Sequence, residues 1–297
     1  MENVEVKKER NFFKRKFTDT WFASAFLAIL LLFVGEFLGI LIEFIPGIQY
    51  TDTVITGIMY FEFWGIWAIV LLYMAVTKKN RPLLKFIGTG TRGNNWINLL
   101  LGLLIGAGMN GFCILVAWLH KDIALTYDSF QPIPFVIIFL TVFVQSSAEE
   151  LLCRGFLYQR LRRSYKHPAV AIVGNSALFA ALHLFNEGVT VLSIINILVV
   201  GILFSFMVYY MDSIWCAMAA HAAWNFTQNI IFGLPNSGIT VPFSVFKLDA
   251  STARNSFAYN IGFGIEGTIF ADLVLILGCV LLFMWGRKKK SVEVENE

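Results

Sequence analysis

Eight long apolar segments constrain the fold of this 297-residue chain more than any other feature of its sequence. A helix of about 20 apolar residues crosses a hydrocarbon core of roughly 30 Å. In lipid the backbone must satisfy its hydrogen bonds internally, so continuous apolar runs of this length indicate helices. We therefore predict an all-α, polytopic membrane helical bundle with about eight transmembrane helices. The segments lie at 20–45, 54–76, 96–119, 133–158, 168–185, 189–211, 213–232 and 266–286.

Composition excludes a soluble protein, and the placement of basic residues predicts an orientation. Hydrophobic residues make up 57% of the chain and charged residues 14%, whereas soluble domains have roughly 25% charged residues. Of the 23 lysines and arginines, 19 lie before residue 18, at 77–95, at 159–167 or after residue 286. Because basic residues collect on the cytoplasmic side, we predict that both termini are cytoplasmic. The basic ends are expected to contact the lipid bilayer, and no nucleic acid partner is predicted.

Two carboxylates and a guanidinium lie inside the fourth apolar segment. An ionisable side chain at bilayer depth costs roughly 2.5–3.5 kcal/mol on insertion scales, so such groups need partners and indicate a function. Glu150 and Arg154 are four residues apart and share a helix face, which predicts a buried ion pair. Glu149 points about 100° away, and the residue four positions after it is Cys153. Glu149 therefore has no partner at that spacing and is available for chemistry.

Two other apolar segments carry a histidine each. His221 and Asn225 are four residues apart and share a helix face, with alanines around them. Counted at about 1.5 Å per residue, His221 and Glu149 lie at similar depths in the bilayer. His183 falls deeper by the same count, which leaves the start or the tilt of its helix open.

This set of side chains is suited to hydrolysis of a peptide bond. A glutamate in an apolar pocket can act as a general base, and a nearby histidine can help to hold a water molecule. A second histidine and an asparagine amide can donate hydrogen bonds to an oxyanion. Two histidines and one carboxylate could instead bind Zn²⁺ with an open position, so both chemistries remain open.

The polar motifs, in this order on separate apolar segments, resemble those of the CPBP family. That family includes the CAAX-type prenyl-protein endopeptidases and the Abi proteins linked to bacteriocin processing or self-immunity. The resemblance predicts a catalytic core at 126–232. A cytoplasmic tail with three helices would precede it at 1–125, and an extracytoplasmic loop, the last helix and a basic tail would follow at 233–297. The motifs are Glu149-Glu150-Leu151-Leu152-Cys153-Arg154, Phe179 to His183, and His221 to Asn225.

The resemblance implies an intramembrane endopeptidase and a role for each motif residue. Glu149 would activate a water molecule together with His183. His221 and Asn225 would form the oxyanion hole. The residues implied to brace the site are Glu150 and Arg154. Family members are described as metalloproteases, so a zinc ion held by Glu149, His183 and His221 stands beside a metal-free glutamate mechanism.

The implied substrate is a membrane-embedded or lipidated peptide, either a prenylated protein or a leader peptide. The implied location is the plasma membrane if the host is bacterial. A non-catalytic bacteriocin self-immunity protein that binds a peptide is the principal alternative. A proton or ion transporter would also use buried carboxylates, but matching halves with Gly/Pro-interrupted helices are not evident in the sequence.

Three further features remain without an assigned role at this point. Glu36 and Glu62 lie in apolar segments, where they face the bundle interior or a lateral opening. The loop at about 233–265 is the longest connection, and it is either a passive link or a cap.

Overall fold

The computed structural model describes residues 17–295, with side chains described as far as residue 288. The basic residues before 17 lie outside this range, and the cytoplasmic location of both termini stays a prediction. Two short strands, β1 (Leu125–Tyr127) and β2 (Phe246–Leu248), form an antiparallel pair. The helices are α1 (Trp21–Gly39), α2 (Asp52–Phe61), α3 (Trp64–Val76), α4 (Trp96–Leu119), α5 (Pro132–Glu150), α6 (Tyr158–Ser164), α7 (Pro168–Leu182), α8 (Val191–Met211), α9 (Ile214–Asn225) and α10 (Ile269–Glu295).

The predicted polytopic helical bundle is confirmed. Among the described residues, six helical stretches are long and apolar enough to cross a bilayer. The fifth and seventh apolar segments form the shorter helices α7 and α9. The 15 residues of α7 extend over roughly 22 Å, so this helix is shorter than the hydrocarbon core. The six stretches are Trp21–Phe44, Asp52–Val76, Trp96–Leu119, Pro132–Ser164, Val191–Met211 and Ile269–Lys288.

Helix α9 lies at the centre of the bundle, where 11 of its 12 residues are buried. It packs most closely against α4, and small residues make this approach possible. A Cβ atom added to Gly102 would overlap the carbonyl oxygen of Cys216, and one added to Gly106 would overlap that of Ala220. Close backbone packing against α4 therefore fixes the position of α9, the helix that carries His221 and Asn225.

The loop after α9 folds back onto the bundle and forms a cap. The Asn229 side chain donates hydrogen bonds to the carbonyl oxygens of Leu234 at 2.8 Å and Ile239 at 3.0 Å. Further along, the backbone N–H of Val245 donates to the carbonyl oxygen of Ile230 at 2.8 Å. These contacts tie the loop to the end of α9, so it is not a passive connection.

A buried carboxylate fixes a second part of this loop. Asp122 is fully buried and accepts hydrogen bonds from Arg254 at 3.1 Å, from Ser256 at 2.5 Å and from the ring of His120 at 2.9 Å. Burial by itself raises the pKa of Asp122, but the hydrogen bonds from Ser256, His120 and Arg254 outweigh burial and hold the pKa below its ordinary value. The ionised form of Asp122 therefore stabilises the folded state.

Replacing Asp122 by asparagine is expected to lower the free energy of unfolding by roughly 1–3 kcal/mol at neutral pH, because Arg254, Ser256 and His120 lose an ionised acceptor. The carboxylate contributes its stability above its ordinary pKa of about 3.9 and loses it as the pH falls through the lower folded-state pKa. Thermal unfolding in detergent at several pH values measures this. Below about pH 4 the wild type should no longer be more stable than Asp122→Asn. A stability difference that persists in acid would contradict the stabilising role of the ionised Asp122 carboxylate.

Candidate active site

Two π-helical turns lie directly after the polar residues of α5 and α9. The first runs over Leu151–Leu157 and follows Glu150, and the second runs over Phe226–Ile231 and follows Asn225. Turns of this type are frequent at functional sites. Since α5 and α9 pack against each other, their C-terminal ends bring the predicted glutamates next to His221.

Glu150, Arg154 and His221 form one buried ionic group. Nη1 of Arg154 lies 2.8 Å from Oε1 of Glu150, and both side chains are fully buried. The same Oε1 atom lies 3.1 Å from Nδ1 of His221. Because an ionised carboxylate only accepts hydrogen bonds, Nδ1 of His221 is the donor in this contact. The predicted ion pair therefore also sets the tautomer and the direction of the histidine ring.

Arg154 is held by more than its carboxylate partner. Its Nη2 atom donates to the carbonyl oxygen of Gly201 at 3.0 Å. Its guanidinium lies 4.6 Å from the ring centre of Phe179 and 5.5 Å from that of Phe204. Hydrogen bonds and cation–π contacts together replace part of the hydration that burial removes.

Glu149 has one oxygen bound and one directed at His221. Its Oε1 atom accepts a hydrogen bond from Nε2 of Gln145 at 2.5 Å, four residues earlier on α5. Its Oε2 atom lies 3.9 Å from Nε2 of His221 and is buried, with no hydrogen-bond partner among the described residues. Glu149 is thus partnered at the preceding helical turn, and its second oxygen is the one available for chemistry.

His183 marks the point where α7 stops. The helix ends at Leu182, and His183 caps it with φ −98° and ψ 3°. Its Nδ1 atom lies 2.8 Å from the carbonyl oxygen of Phe179, which can only accept. In the neutral ring Nε2 therefore carries the lone pair. The helix does begin at Pro168, so it does not start late, and His183 lies roughly 22 Å along it from that residue.

Asn225 lies in a chain of amide hydrogen bonds. Its Nδ2 atom donates to Oε1 of Gln145 at 3.1 Å and to Oγ of Ser146 at 3.2 Å. Its Oδ1 atom accepts from Nδ2 of Asn236 at 3.3 Å. Asn225 is therefore connected to Glu149 through Gln145, and to the cap through Asn236.

A cavity of about 240 Å³ joins these groups. Its wall includes all four of the residues that the resemblance placed in the chemistry, together with apolar side chains such as Leu32 and Phe63. Glu36 also lines the cavity, so this glutamate faces the interior, whereas the wall as described does not include Glu62. The four residues are Glu149, His183, His221 and Asn225.

Gln145, Asn236 and Glu266 are among the polar cavity residues that the sequence analysis missed. Gln145 lies on the same helix face as Glu149, four residues before it, and this spacing is a usable signal. Asn236 and Glu266 come from the two ends of the cap, and nothing in their sequence surroundings marks them. Their position depends on how the loop folds back.

The residues do not fit the alternative of a zinc site. Among the described residues, no three histidine, cysteine, aspartate or glutamate side chains are grouped as metal ligands. We therefore derive no step through a metal ion.

Comparison with known proteins agrees with the resemblance. Residues 131–227, about a third of the chain, match the sequence model of the family described as type II CAAX prenyl endopeptidase, Rce1-like. No curated protein and no solved structure matched the chain. The match contains all six motif residues; it supports a protease and gives no support to a silent immunity protein. The chain is therefore an integral, multi-pass membrane protein that carries an Rce1-like domain at residues 131–227, and this domain supports the predicted resemblance to the CPBP family of intramembrane proteases.

Proposed function

We propose that this protein is an endopeptidase in which Glu149 activates a water molecule inside the membrane. The observation that carries the proposal is the 3.9 Å separation between Oε2 of Glu149 and Nε2 of His221 on the wall of a cavity. Polar atoms separated by more than 3.5 Å leave room for a small group between them, so Glu149 can hold a water molecule beside the proposed oxyanion donor His221. A buried carboxylate oxygen with no partner among the described residues is also suited to take a proton.

The proposed reaction uses the motif residues in sequence. Glu149 accepts a proton from water while Nε2 of His183 accepts a hydrogen bond from the same molecule. The water oxygen attacks the scissile carbonyl carbon, and the carbonyl oxygen becomes an oxyanion. The Asn225 amide donates a hydrogen bond to that oxyanion in exchange for one of its two present acceptors, Gln145 and Ser146. His221 donates a second one from Nε2, which requires its imidazolium form because Nδ1 already donates to Glu150. Glu149 then delivers its proton to the leaving nitrogen as the carbon–nitrogen bond breaks, which yields one carboxylic acid and one amine. The acid ionises, and its proton passes to the amine.

Charge balance favours this distribution of roles. Glu150 is paired with Arg154 at 2.8 Å, so in the proposed cycle the charge of Glu149 is available to balance an imidazolium at His221. When Glu149 takes up the proton, the negative charge moves to the oxyanion, which lies against the same histidine. The site then holds paired charges before and after attack, as a low-dielectric interior requires.

The proposed substrate is a membrane-embedded or lipidated peptide. The cavity lies in a bundle whose outer surface is apolar, with side chains such as Phe26, Leu104 and Ile137 exposed. An apolar peptide or a lipid-modified one partitions into the bilayer and reaches such a bundle at high local concentration. The membrane therefore acts as the partner that supplies substrate.

A peptide panel tests this function. Detergent-purified wild type is incubated with a C-terminally prenylated peptide, the same peptide without its lipid, and a hydrophobic leader peptide, and products are identified by mass spectrometry. We expect cleavage of an internal peptide bond in a membrane-associated peptide. Failure to cleave any member of the panel, in detergent or in lipid vesicles, would reject the endopeptidase.

Metal removal is expected to leave the cleavage rate unchanged, because the proposed proton transfers use only side chains of this chain. The measurement is kcat before and after dialysis against EDTA and 1,10-phenanthroline, with metal content assayed on both preparations. A zinc protease of known chelator sensitivity serves as the control. Loss of activity that returns on addition of zinc would contradict the metal-free mechanism while keeping the protease.

A further inference from the structure

We propose that Glu266 is a positioning residue that holds Asn225, through Asn236, in the orientation that oxyanion binding requires. This inference rests on the proposed function. Glu266 lies in the turn Ile265–Gly267, at the end of the cap and just before α10. It is 5% exposed, so a carboxylate at this place needs a specific reason.

The carboxylate is surrounded by four donors. Oε1 of Glu266 accepts from Nε1 of Trp224 at 2.8 Å and from Nδ2 of Asn236 at 2.8 Å. Oε2 accepts from Nε2 of Gln228 at 2.6 Å and from the backbone N–H of Ser237 at 3.4 Å. Two of these donors, Trp224 and Gln228, lie on either side of Asn225 along the chain. The carboxylate therefore clamps the turn that carries the predicted oxyanion donor.

The orientation of Asn225 follows from which groups can donate. A carboxylate accepts hydrogen bonds only, so Glu266 fixes the Asn236 amide with its nitrogen inward. That nitrogen also donates to Oδ1 of Asn225 at 3.3 Å. With its oxygen held on this side, Asn225 must direct its Nδ2 atom towards Gln145 and Ser146 on α5. Its donor thus faces the helix of the water-activating glutamate.

Loss of the carboxylate would remove this constraint. A glutamine at this position must turn an NH₂ group towards either Trp224 and Asn236 or Gln228 and Ser237, and all four of these are donors. Gln228 cannot adapt by rotating, because its nitrogen also donates to the carbonyl oxygen of Pro235 and its oxygen accepts from Asn110. The side-chain amide of Asn236 would then be free to rotate. The Asn225 amide, whose oxygen it holds, would be free to rotate as well.

A double-mutant cycle tests the role. We expect Glu266→Gln to lower kcat about 10–100-fold, as a small displacement of a catalytic group does, with KM changed less than about twofold. In an Asn225→Ala background the same substitution should have almost no further effect, because its target is gone. Rates are measured under single-turnover conditions on one cleaved peptide, beside wild type and Glu149→Gln.

Asp122→Asn is the matched control. It also removes a buried carboxylate that fixes the cap, but it lies in a separate cluster with Arg254 and Ser256. It should lower thermal stability and leave kcat near the wild-type value. If Glu266→Gln does not yield folded protein, Asn236→Ala is used instead, because it removes the amide that joins Glu266 to Asn225. We expect the same fall in kcat from this variant.

The outcomes separate the two proposals. Cleavage by wild type with an unchanged kcat in Glu266→Gln overturns the positioning role alone. An equal loss from Glu266→Gln in both the wild-type and the Asn225→Ala backgrounds also overturns it, since the carboxylate would then act only on stability or on another group. No cleavage by wild type overturns the proposed function, and the positioning role with it.

Discussion

Replacing Glu149 by glutamine is expected to lower kcat by on the order of 10²–10⁴-fold, because the amide cannot accept a proton from water. The substitution keeps the size of the side chain, and the glutamine oxygen can still accept the hydrogen bond that Gln145 donates at 2.5 Å. The fold should therefore persist. Single-turnover cleavage of one membrane-associated peptide, followed by mass spectrometry, measures the change.

A matched control separates this effect from a general loss of charge in the bundle. Glu62 is a half-buried glutamate between α2 and α3, outside the cavity wall as described. Glu62→Gln is expected to keep kcat near the wild-type value. A wild-type rate in Glu149→Gln, or an equal loss in both variants, would remove Glu149 from the chemistry.

Replacing Arg154 by methionine is expected to lower the free energy of unfolding by roughly 3–5 kcal/mol, because it leaves the buried Glu150 carboxylate without its guanidinium partner. The variant also loses the hydrogen bond to the carbonyl oxygen of Gly201 and the contacts with the rings of Phe179 and Phe204. Thermal unfolding in detergent, followed by circular dichroism, measures the loss.

The paired change Glu150→Gln with Arg154→Met is expected to recover most of this stability, since it removes both charges together. It should not recover activity, because a neutral amide replaces the charged acceptor that holds the ring of His221 at 3.1 Å, and hydrogen bonds to charged groups are the stronger ones. Arg92→Met, at an exposed arginine, is the control and should change stability by about 0.5 kcal/mol or less. A single Arg154→Met variant as stable as wild type would contradict the buried ion pair.

Local spacing made part of the site predictable. Glu150 and Arg154 were paired from their separation of four residues, and they form that contact in the structure. The same rule, applied in the other direction along α5, would have found Gln145 beside Glu149. Eight apolar segments likewise predicted the bundle, because backbone hydrogen bonding in lipid leaves few alternatives to helices.

Contacts between distant segments were not predictable in this way. The apolar segment that contains His183 does not reveal that α7 ends at Leu182, so the position of His183 as the cap of a short helix was not predictable. In the sequence nothing distinguishes Glu266 from other acidic residues in loops. Only the folding of the cap brings it into contact with Trp224 and Asn236. The sequence pattern also gives no reason for His221 to lie nearer Glu150 than Glu149.

The most direct test of a glutamate-activated water is hydrolysis in H₂¹⁸O, with wild type and Glu149→Gln compared on the same peptide. The wild type should yield a product whose new carboxyl group contains one ¹⁸O atom, and Glu149→Gln should yield almost no product in the same time. Labelled product formed by Glu149→Gln at the wild-type rate would contradict the assignment of Glu149 as the residue that activates the water.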